Sequence, residues 1–187
     1  MIDPRRLLLW AAGWLVAVSS LAGAAQGDPK AEWQEFRTEE GNFLLWVPAK
    51  PEELKVAGCP PGAHVWQASG DSLLTVFQVG FISRQEQLDR PQADAFLEGL
   101  AKETAESMKG SVARSRKITL SRWPGRESLI RFAAGEIKMC LMERIYLVAD
   151  RKLFVRIVVP EERSDLPDYR KILDSFKLID EARHPLD

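Results

Sequence analysis

The chain has 187 residues, and its 26 basic and 27 acidic side chains give a net charge of -1 at neutral pH. This balance provides no basic surface for nucleic acid or for an anionic membrane, so neither is expected as a partner. The length suits one domain with a single core, and no internal repeat or long linker divides it.

The N-terminal segment has the pattern of a secretory signal peptide, over residues 1–24. Two arginines precede a long apolar run, and Ala22 and Ala24 form the small-x-small motif of a cleavage site. We expect cleavage after Ala24, a periplasmic or secreted product and a flexible mature N-terminus over 25–32. An uncleaved N-terminal membrane anchor is the alternative, because the apolar run almost reaches a membrane-spanning length. No lipid anchor is expected, since Ala24 stands where bacterial lipoproteins carry the acylated cysteine.

The chain contains two cysteines, Cys59 and Cys140. In an oxidising compartment an even count favours a disulfide, here worth about 4 kcal/mol in the chain-entropy model. We predict this bond. A redox or metal site has less support, because there is no C-x-x-C motif and only His64 is near either thiol in sequence. No cofactor is expected.

The first half of the mature chain has the pattern of short strands. Aromatic-rich strands are predicted over 33–36 and 43–47, and a hairpin over 64–68 and 73–82. In 73–82 both alternating sets of side chains are mostly apolar, which indicates a central strand covered on both faces.

The segment 91–109 changes to a helical period. Pro91 falls in the first turn and Gly110 follows the end, as is typical of helix boundaries. The apolar stripe consists of Phe96, Leu97, Leu100, Ala101, Thr104 and Met108.

The rest of the chain returns to a period of two and then ends in a helix. Turns are predicted at 123–125, 134–136 and 150–151. The four strands of this meander are predicted over 112–120, 126–132, 137–148 and 153–159, and the last helix over about 165–176. A sheet followed by docked helices is an α+β plan.

Several motifs also resemble those of a known group of proteins. They are EEGNF at 39–43 with VP at 47–48, WPGRE at 123–127, RIYLVADRKLF at 144–154 and DSFKL at 174–178. They resemble a family of exported bacterial proteins of unknown function that is similar to the PsbP-like fold. That fold is named for an extrinsic photosystem II subunit and is shared with a yeast Ran-binding protein and the lipoprotein DcrB.

The resemblance covers residues 33–179 and leaves 180–187 as a C-terminal tail. It implies a single α+β domain, an antiparallel, strongly twisted sheet of about six to eight strands with helices packed on its faces, as an α/β/α sandwich. It transfers no catalytic residues, because the shared motifs are turns, strand anchors and a helix end. Members of this fold are adaptor and assembly proteins more often than enzymes.

The last hairpin contains charged residues in apolar surroundings. A two-residue turn at 150–151 would place Arg144 opposite Ile157 on an apolar face, where a guanidinium needs a partner or a route to solvent. On the other face Glu143 would lie diagonally across from Arg156, within reach of an ion pair. We expect either internal ion pairs that fix the register or contacts from these residues to a ligand.

No catalytic or metal site is predicted. The two histidines of the chain, His64 and His184, lack the glycine pattern of a nucleophile elbow. Pairs of carboxylates fall in predicted turns, where solvated charge explains them. We therefore do not expect an enzyme.

These patterns lead to three hypotheses of function. The first is an exported non-catalytic domain, a protein-interaction or assembly factor of the cell envelope with an unknown extracytoplasmic partner. Trp66 and Trp123 are then either packing residues or exposed anchors for that partner. The alternative is a carrier of a hydrophobic small molecule or lipid, held beside Phe96 and Leu100. A hydrolase has the least support and would need paired, buried carboxylates in a cleft.

Overall fold

The described part of the protein contains two antiparallel sheets and two α-helices. The computed structural model describes residues 33–54, 62–69, 76–83, 88–165 and 167–179. The predicted signal peptide, its cleavage after Ala24 and the C-terminal tail lie outside these residues and stay predictions. Neither helix in the described part is long and apolar enough to cross a membrane.

The larger sheet has seven strands, in the order β3-β4-β5-β9-β8-β7-β6. Its strands are β3 (Glu52–Glu53), β4 (Ala63–Ser69), β5 (Val76–Ser83), β6 (Ser111–Leu120), β7 (Trp123–Ala134), β8 (Ile137–Val148) and β9 (Arg151–Pro160). The smaller sheet, in the order β1-β2-β10, consists of β1 (Gln34–Thr38), β2 (Phe43–Val47) and β10 (Lys177–Leu178). The helices are α1 (Arg90–Ser107) and α2 (Pro167–Asp174).

This architecture confirms the predicted α+β fold and adds a second sheet that the sequence did not indicate. Helix α1 covers one face of the large sheet, here called the α1 face, where Leu97 packs with Phe154. The small sheet and α2 cover the opposite face, here called the α2 face, where Phe43 and Leu173 join Val155 in the largest apolar cluster. The central strands are therefore apolar on both faces because each face is covered.

Helix α1 begins one residue before its predicted start and ends two residues before its predicted end. The Asp89 carboxylate accepts a hydrogen bond from the Gln92 backbone N–H, and the Gln92 side chain accepts one from the Asp89 N–H, which forms a capping box. At the other end Lys109 has a φ of 52°, and the Gly110 N–H donates to the Ala105 carbonyl.

The turn of the last hairpin lies one position earlier than predicted. Val148 faces Arg151, so the turn is 149–150, and Ala149 takes a φ of 50°. Arg144 therefore faces Val155 rather than Ile157. A shift of two in the pairing leaves every side chain on its predicted face, because successive side chains alternate between faces.

The structure does not show the disulfide predicted between Cys59 and Cys140. Cys140 is a buried free thiol, and Cys59 lies outside the described residues.

Candidate functional site

A group of arginines surrounds one buried glutamate on the α2 face. We call it the arginine cluster: Glu127 with Arg114, Arg116, Arg144 and Arg170. Strand pairing places three of its members in a row, because Glu127 of β7 faces Arg116 of β6 on one side and Arg144 of β8 on the other. The docking of α2 brings Arg170 over the same residue.

Hydrogen bonds from two arginines engage both oxygens of the Glu127 carboxylate. The Arg116 guanidinium binds it through two bonds of 3.0 Å, from Nε to Oε1 and from Nη2 to Oε2. Arg144 Nε donates to Oε2 at 2.8 Å. Glu127 is only 5% exposed, so its charge depends on these partners rather than on water.

Arg144 also attaches α2 to the large sheet. Its Nη1 donates to the Leu173 carbonyl at 2.7 Å, and its Nη2 donates to the Asp174 carboxylate at 2.6 Å. These acceptors lie in the last turn of α2, where carbonyls lack partners within the helix and the dipole favours a cation. Arg144, which the sequence predicted on an apolar face, therefore binds the last turn of α2.

The cluster shifts the ionisation of its members in the directions that keep them charged. Burial alone would raise the pKa of Glu127, but the hydrogen bonds and charges of Arg116 and Arg144 outweigh it and lower that pKa. Burial likewise opposes the charge of Arg144, yet Asp174 and Glu127 raise its pKa. Both groups stay ionised at neutral pH, which makes the core of the cluster a permanent ion network.

The two remaining arginines are held less tightly. Arg114 Nη2 and Arg170 Nη1 lie 3.8 and 3.7 Å from Glu127 Oε1, too far for hydrogen bonds. Their side chains are 55% and 51% exposed, and no described residue accepts a hydrogen bond from either. They line a small cleft of about 30 Å³ together with Ser164 and Asp165. The cluster thus presents two guanidinium groups with free donors at the surface.

The residues Glu143 and Arg156 form an ion pair on the α1 face. They face each other directly, rather than diagonally as predicted, and Arg156 Nε donates to Glu143 Oε2 at 2.9 Å. Glu143 is fully buried, and its Oε1 has no hydrogen-bond partner. Arg156 also lies over the Phe154 ring, 5.0 Å from its centroid.

The two tryptophans singled out from the sequence have different surroundings. Trp66 is half-buried in an aromatic group on the α2 face, with ring centroids 5.7 Å from Phe36 and 6.1 Å from Phe43. Trp123 lies at the start of β7, with the Arg122 guanidinium 4.9 Å from its ring centroid. Among the described residues, the large apolar side chains that are exposed are instead Trp46 and Ile137.

Trp123 lines a second cleft, with a volume of about 340 Å³. The cleft lies at the start of α1, where Leu88 and Ala93 face Leu147 of β8. This position differs from the one expected for a hydrophobic ligand, which was beside Phe96 and Leu100.

The charged groups that could form a catalytic or metal site are instead in contact with side chains of opposite charge. His64 lies between two exposed carboxylates, with Nδ1 2.8 Å from Glu53 and Nε2 3.1 Å from Glu40. The buried carboxylates Glu127 and Glu143 are on opposite faces of the sheet and are each bound by arginine, so these two do not form the acid and base pair of a carboxylate-dependent hydrolase. No cluster of three metal-ligating side chains occurs within the described ranges.

The fold and the site together define a class: an α+β sandwich in which an arginine cluster joins a helix to the sheet beside β6, the last strand of the described sheet. No protein-family model and no curated protein matches the chain. Among solved structures, the cyanobacterial PsbP of Synechocystis matches with a TM-score of 0.62 at 12% identity, over 84% of this chain and 98% of that one. The chain therefore has the PsbP-like fold, as the sequence motifs implied.

Two further structures are similar at lower scores. A protein of Bacteroides thetaiotaomicron matches with a TM-score of 0.51 at 10% identity, over 77% of this chain and 47% of that one. The Ran-binding protein Mog1p of Saccharomyces cerevisiae matches with a TM-score of 0.48 at 11% identity, over 81% and 98%. At such identities the likeness shows the fold alone, so function has to be argued from the site.

Proposed function

We propose that this protein is an exported, non-catalytic interaction domain that binds an extended segment of an envelope protein along strand β6. Export rests on the N-terminal sequence pattern described above. The observation that supports binding is the open edge of the large sheet.

Strand β6 is a long edge strand without a described neighbour on its outer side. It has ten residues, whereas the opposite edge strand, β3, has only two. The backbone N–H and C=O groups along such an edge bind water in the free protein and can pair with an added strand. A ten-residue edge offers enough hydrogen bonds for a specific docking site.

The side chains of β6 select the kind of strand that can pair. Arg114, Arg116 and Lys117 are exposed along its middle, and a bulge interrupts the pairing between Val112 and Arg114. Two copies of this basic strand would repel each other, so self-association through the edge is disfavoured. A partner strand without basic residues meets no such repulsion, and the edge is therefore suited to a different protein.

Site-specific photo-crosslinking in the envelope tests this proposal. A photoreactive residue replaces Ala113 or Ser115, both exposed on β6, and in a matched control it replaces Lys138, which is exposed at the start of β8. We expect one crosslinked protein from both β6 positions and none from position 138. Hydrogen exchange on the purified complex should then show new protection of the β6 amides. Identical products from all three positions, or β6 amides that exchange as fast as in the free protein, would refute binding along this edge.

The cleft at Trp123 supports a second candidate function, the carriage of a small hydrophobic molecule. Its volume of about 340 Å³ lies at the lower end of the range for ligand sites, and apolar side chains of Leu88, Ala93 and Leu147 line it. Native mass spectrometry of the purified protein should then detect a copurifying apolar compound, and a Trp123→Ala variant should lose it. A protein that carries no compound and leaves an apolar fluorescent probe unbound would remove this candidate.

A further inference from the structure

We propose that the segment bound along β6 carries an acidic side chain, and that Arg114 and Arg170 clamp its carboxylate. This inference rests on the proposed function and adds the chemistry by which the partner is recognised. Three features of the arginine cluster support it: its uncommitted donors, its geometry and its position beside the edge.

The donors of these two arginines are not used within the protein. Glu127 already accepts three hydrogen bonds from Arg116 and Arg144, and Arg144 engages Asp174 as well. Arg114 and Arg170 therefore approach a carboxylate whose charge is shared by stronger partners. A second anion would supply the hydrogen bonds that they lack.

The geometry of the cleft suits one small anionic group. Arg114 comes from β6 and Arg170 from α2, and their guanidinium nitrogens lie 3.8 and 3.7 Å from the same oxygen, Glu127 Oε1. The cleft that they line has a volume of about 30 Å³, above the roughly 10–15 Å³ that one water-sized group needs. The exposed Asp165 lines the same cleft but forms no ion pair with either arginine, so their charges are balanced only by the distant contact with Glu127.

The position of the clamp links it to the edge strand. Arg114 faces Leu129 and Arg116 faces Glu127, so both arginines point to the α2 face. In a strand added outside β6, alternate side chains would point to the same face and lie opposite these arginines. The partner segment should therefore carry its acidic residue at a position that points to the α2 face.

Two matched peptides test the inference by NMR titration of the purified protein. One has ten residues of alternating threonine and glutamate, matching the length of β6, and the other has glutamine in place of every glutamate. We expect both to shift the β6 backbone amides, and the glutamate peptide to bind about tenfold more tightly, with an advantage that shrinks as salt is added. Only the glutamate peptide should shift the Nε–Hε signals of Arg114 and Arg170.

Variants separate the clamp from general charge. The double variant R114Q/R170Q should bind the glutamate peptide no more tightly than the glutamine peptide. The control R90Q removes an exposed arginine on the first turn of α1, outside the cluster, and should keep the tenfold preference. Because both clamp arginines are half-exposed and lie beyond hydrogen-bond distance of Glu127, the double variant should lose little of its unfolding free energy.

The outcomes distinguish the two proposals. Equal affinity for the two peptides at β6, or a glutamate peptide that leaves both Nε–Hε signals unmoved, overturns the clamp and leaves binding along the edge intact. A failure of both peptides to shift any β6 amide counts against the edge itself and removes the clamp with it. A preference that survives in R114Q/R170Q also overturns the clamp.

Discussion

The Glu127→Gln substitution should destabilise the protein by about 3 kcal/mol at neutral pH. It removes the charge that Arg144 needs, and hydrogen bonds between charged groups contribute about 1.5–3 kcal/mol when they are buried. Arg144 is only 9% exposed and cannot recover the loss from water. The bonds from Arg116 add less than about 1 kcal/mol, because that side chain is half-exposed.

The measurement is urea unfolding of the purified protein at several pH values. Arg116→Gln is the matched control and should cost less than about 1 kcal/mol, because it leaves the Arg144 contact in place. The pKa of Glu127 is lowered below its usual 4.5 in the folded protein. Its stabilisation is therefore fully present above that usual value and is lost as the pH falls through the lowered pKa. The difference between the wild-type protein and Glu127→Gln should shrink accordingly in acid.

Two results would refute this reasoning. A loss of unfolding free energy from Glu127→Gln as small as that from Arg116→Gln would mean that Asp174 and the Leu173 carbonyl alone are sufficient to stabilise the buried charge of Arg144. A difference that stays constant at pH values well below 4.5 would mean that the charge of Glu127 contributes nothing to the effect.

Three further predictions concern other parts of the core. Burial, and to a smaller extent the charge of Glu161, raises the pKa of the Cys140 thiol. A thiol reagent should therefore label Cys140 only when the protein unfolds. Rapid labelling of the native protein would contradict this burial. Burial likewise raises the pKa of Tyr146, so the unfolding free energy should fall as the pH rises above 10. Denaturant titrations should show a smaller fall for the Tyr146→Phe variant. Equal falls for the variant and the wild-type protein would contradict this prediction. In the same assay Gly80→Ala should lower the unfolding free energy by about 2 kcal/mol, because a Cβ there would overlap the backbone of β4. The control Gly99→Ala, on the open surface of α1, should raise it by about 0.5–1 kcal/mol. Equal effects of the two substitutions would refute the packing argument.

The predictions of helices and strands were confirmed where apolar residues recur with a regular period along the chain. Helix α1 has an apolar stripe with Asp89 before it and Gly110 after it, and both boundaries agree with the structure to within about two residues. Strand β5 reads as apolar on both sides because the α1 face and the α2 face are both covered. The burial pattern and the ends of a helix depend on residues close together in the chain, so both can be predicted from the sequence alone.

The turns were harder to place because serine and alanine, rather than glycine or asparagine, occupy the positions with positive φ. Ser121 and Ala149 adopt φ values of 52° and 50°, which only glycine adopts without cost. The sequence instead favours a turn at 123–125, where proline precedes glycine. In the structure Gly125 lies within β7 against the Tyr146 ring, where a larger residue would collide with it. That glycine serves close packing rather than chain reversal.

This misplaced turn also concealed the arginine cluster. With the turn at 121–122, Glu127 comes opposite Arg116, and pairing with β8 then adds Arg144. Those three residues could have been found from correct hairpin registers alone. Arg170 and Asp174 could not, because they reach the cluster only when α2 packs across the sheet, and no local period encodes that contact.

A polar row on the α1 face gives the register of the large sheet a physical basis. One residue from each of the seven strands contributes to it: Glu52, Gln67, Gln78, Arg156, Glu143, Ser128 and Ser115, in spatial order. Separate apolar clusters beneath α1 surround Phe154 and Ile130. A central strand that slipped by two residues would keep its faces but bring a polar group toward one of these clusters and break the bond between Gln67 and Gln78 or between Glu143 and Arg156, which is costly in a buried site. The ion pair between Glu143 and Arg156 therefore favours this register, because a slipped strand would separate two buried charges.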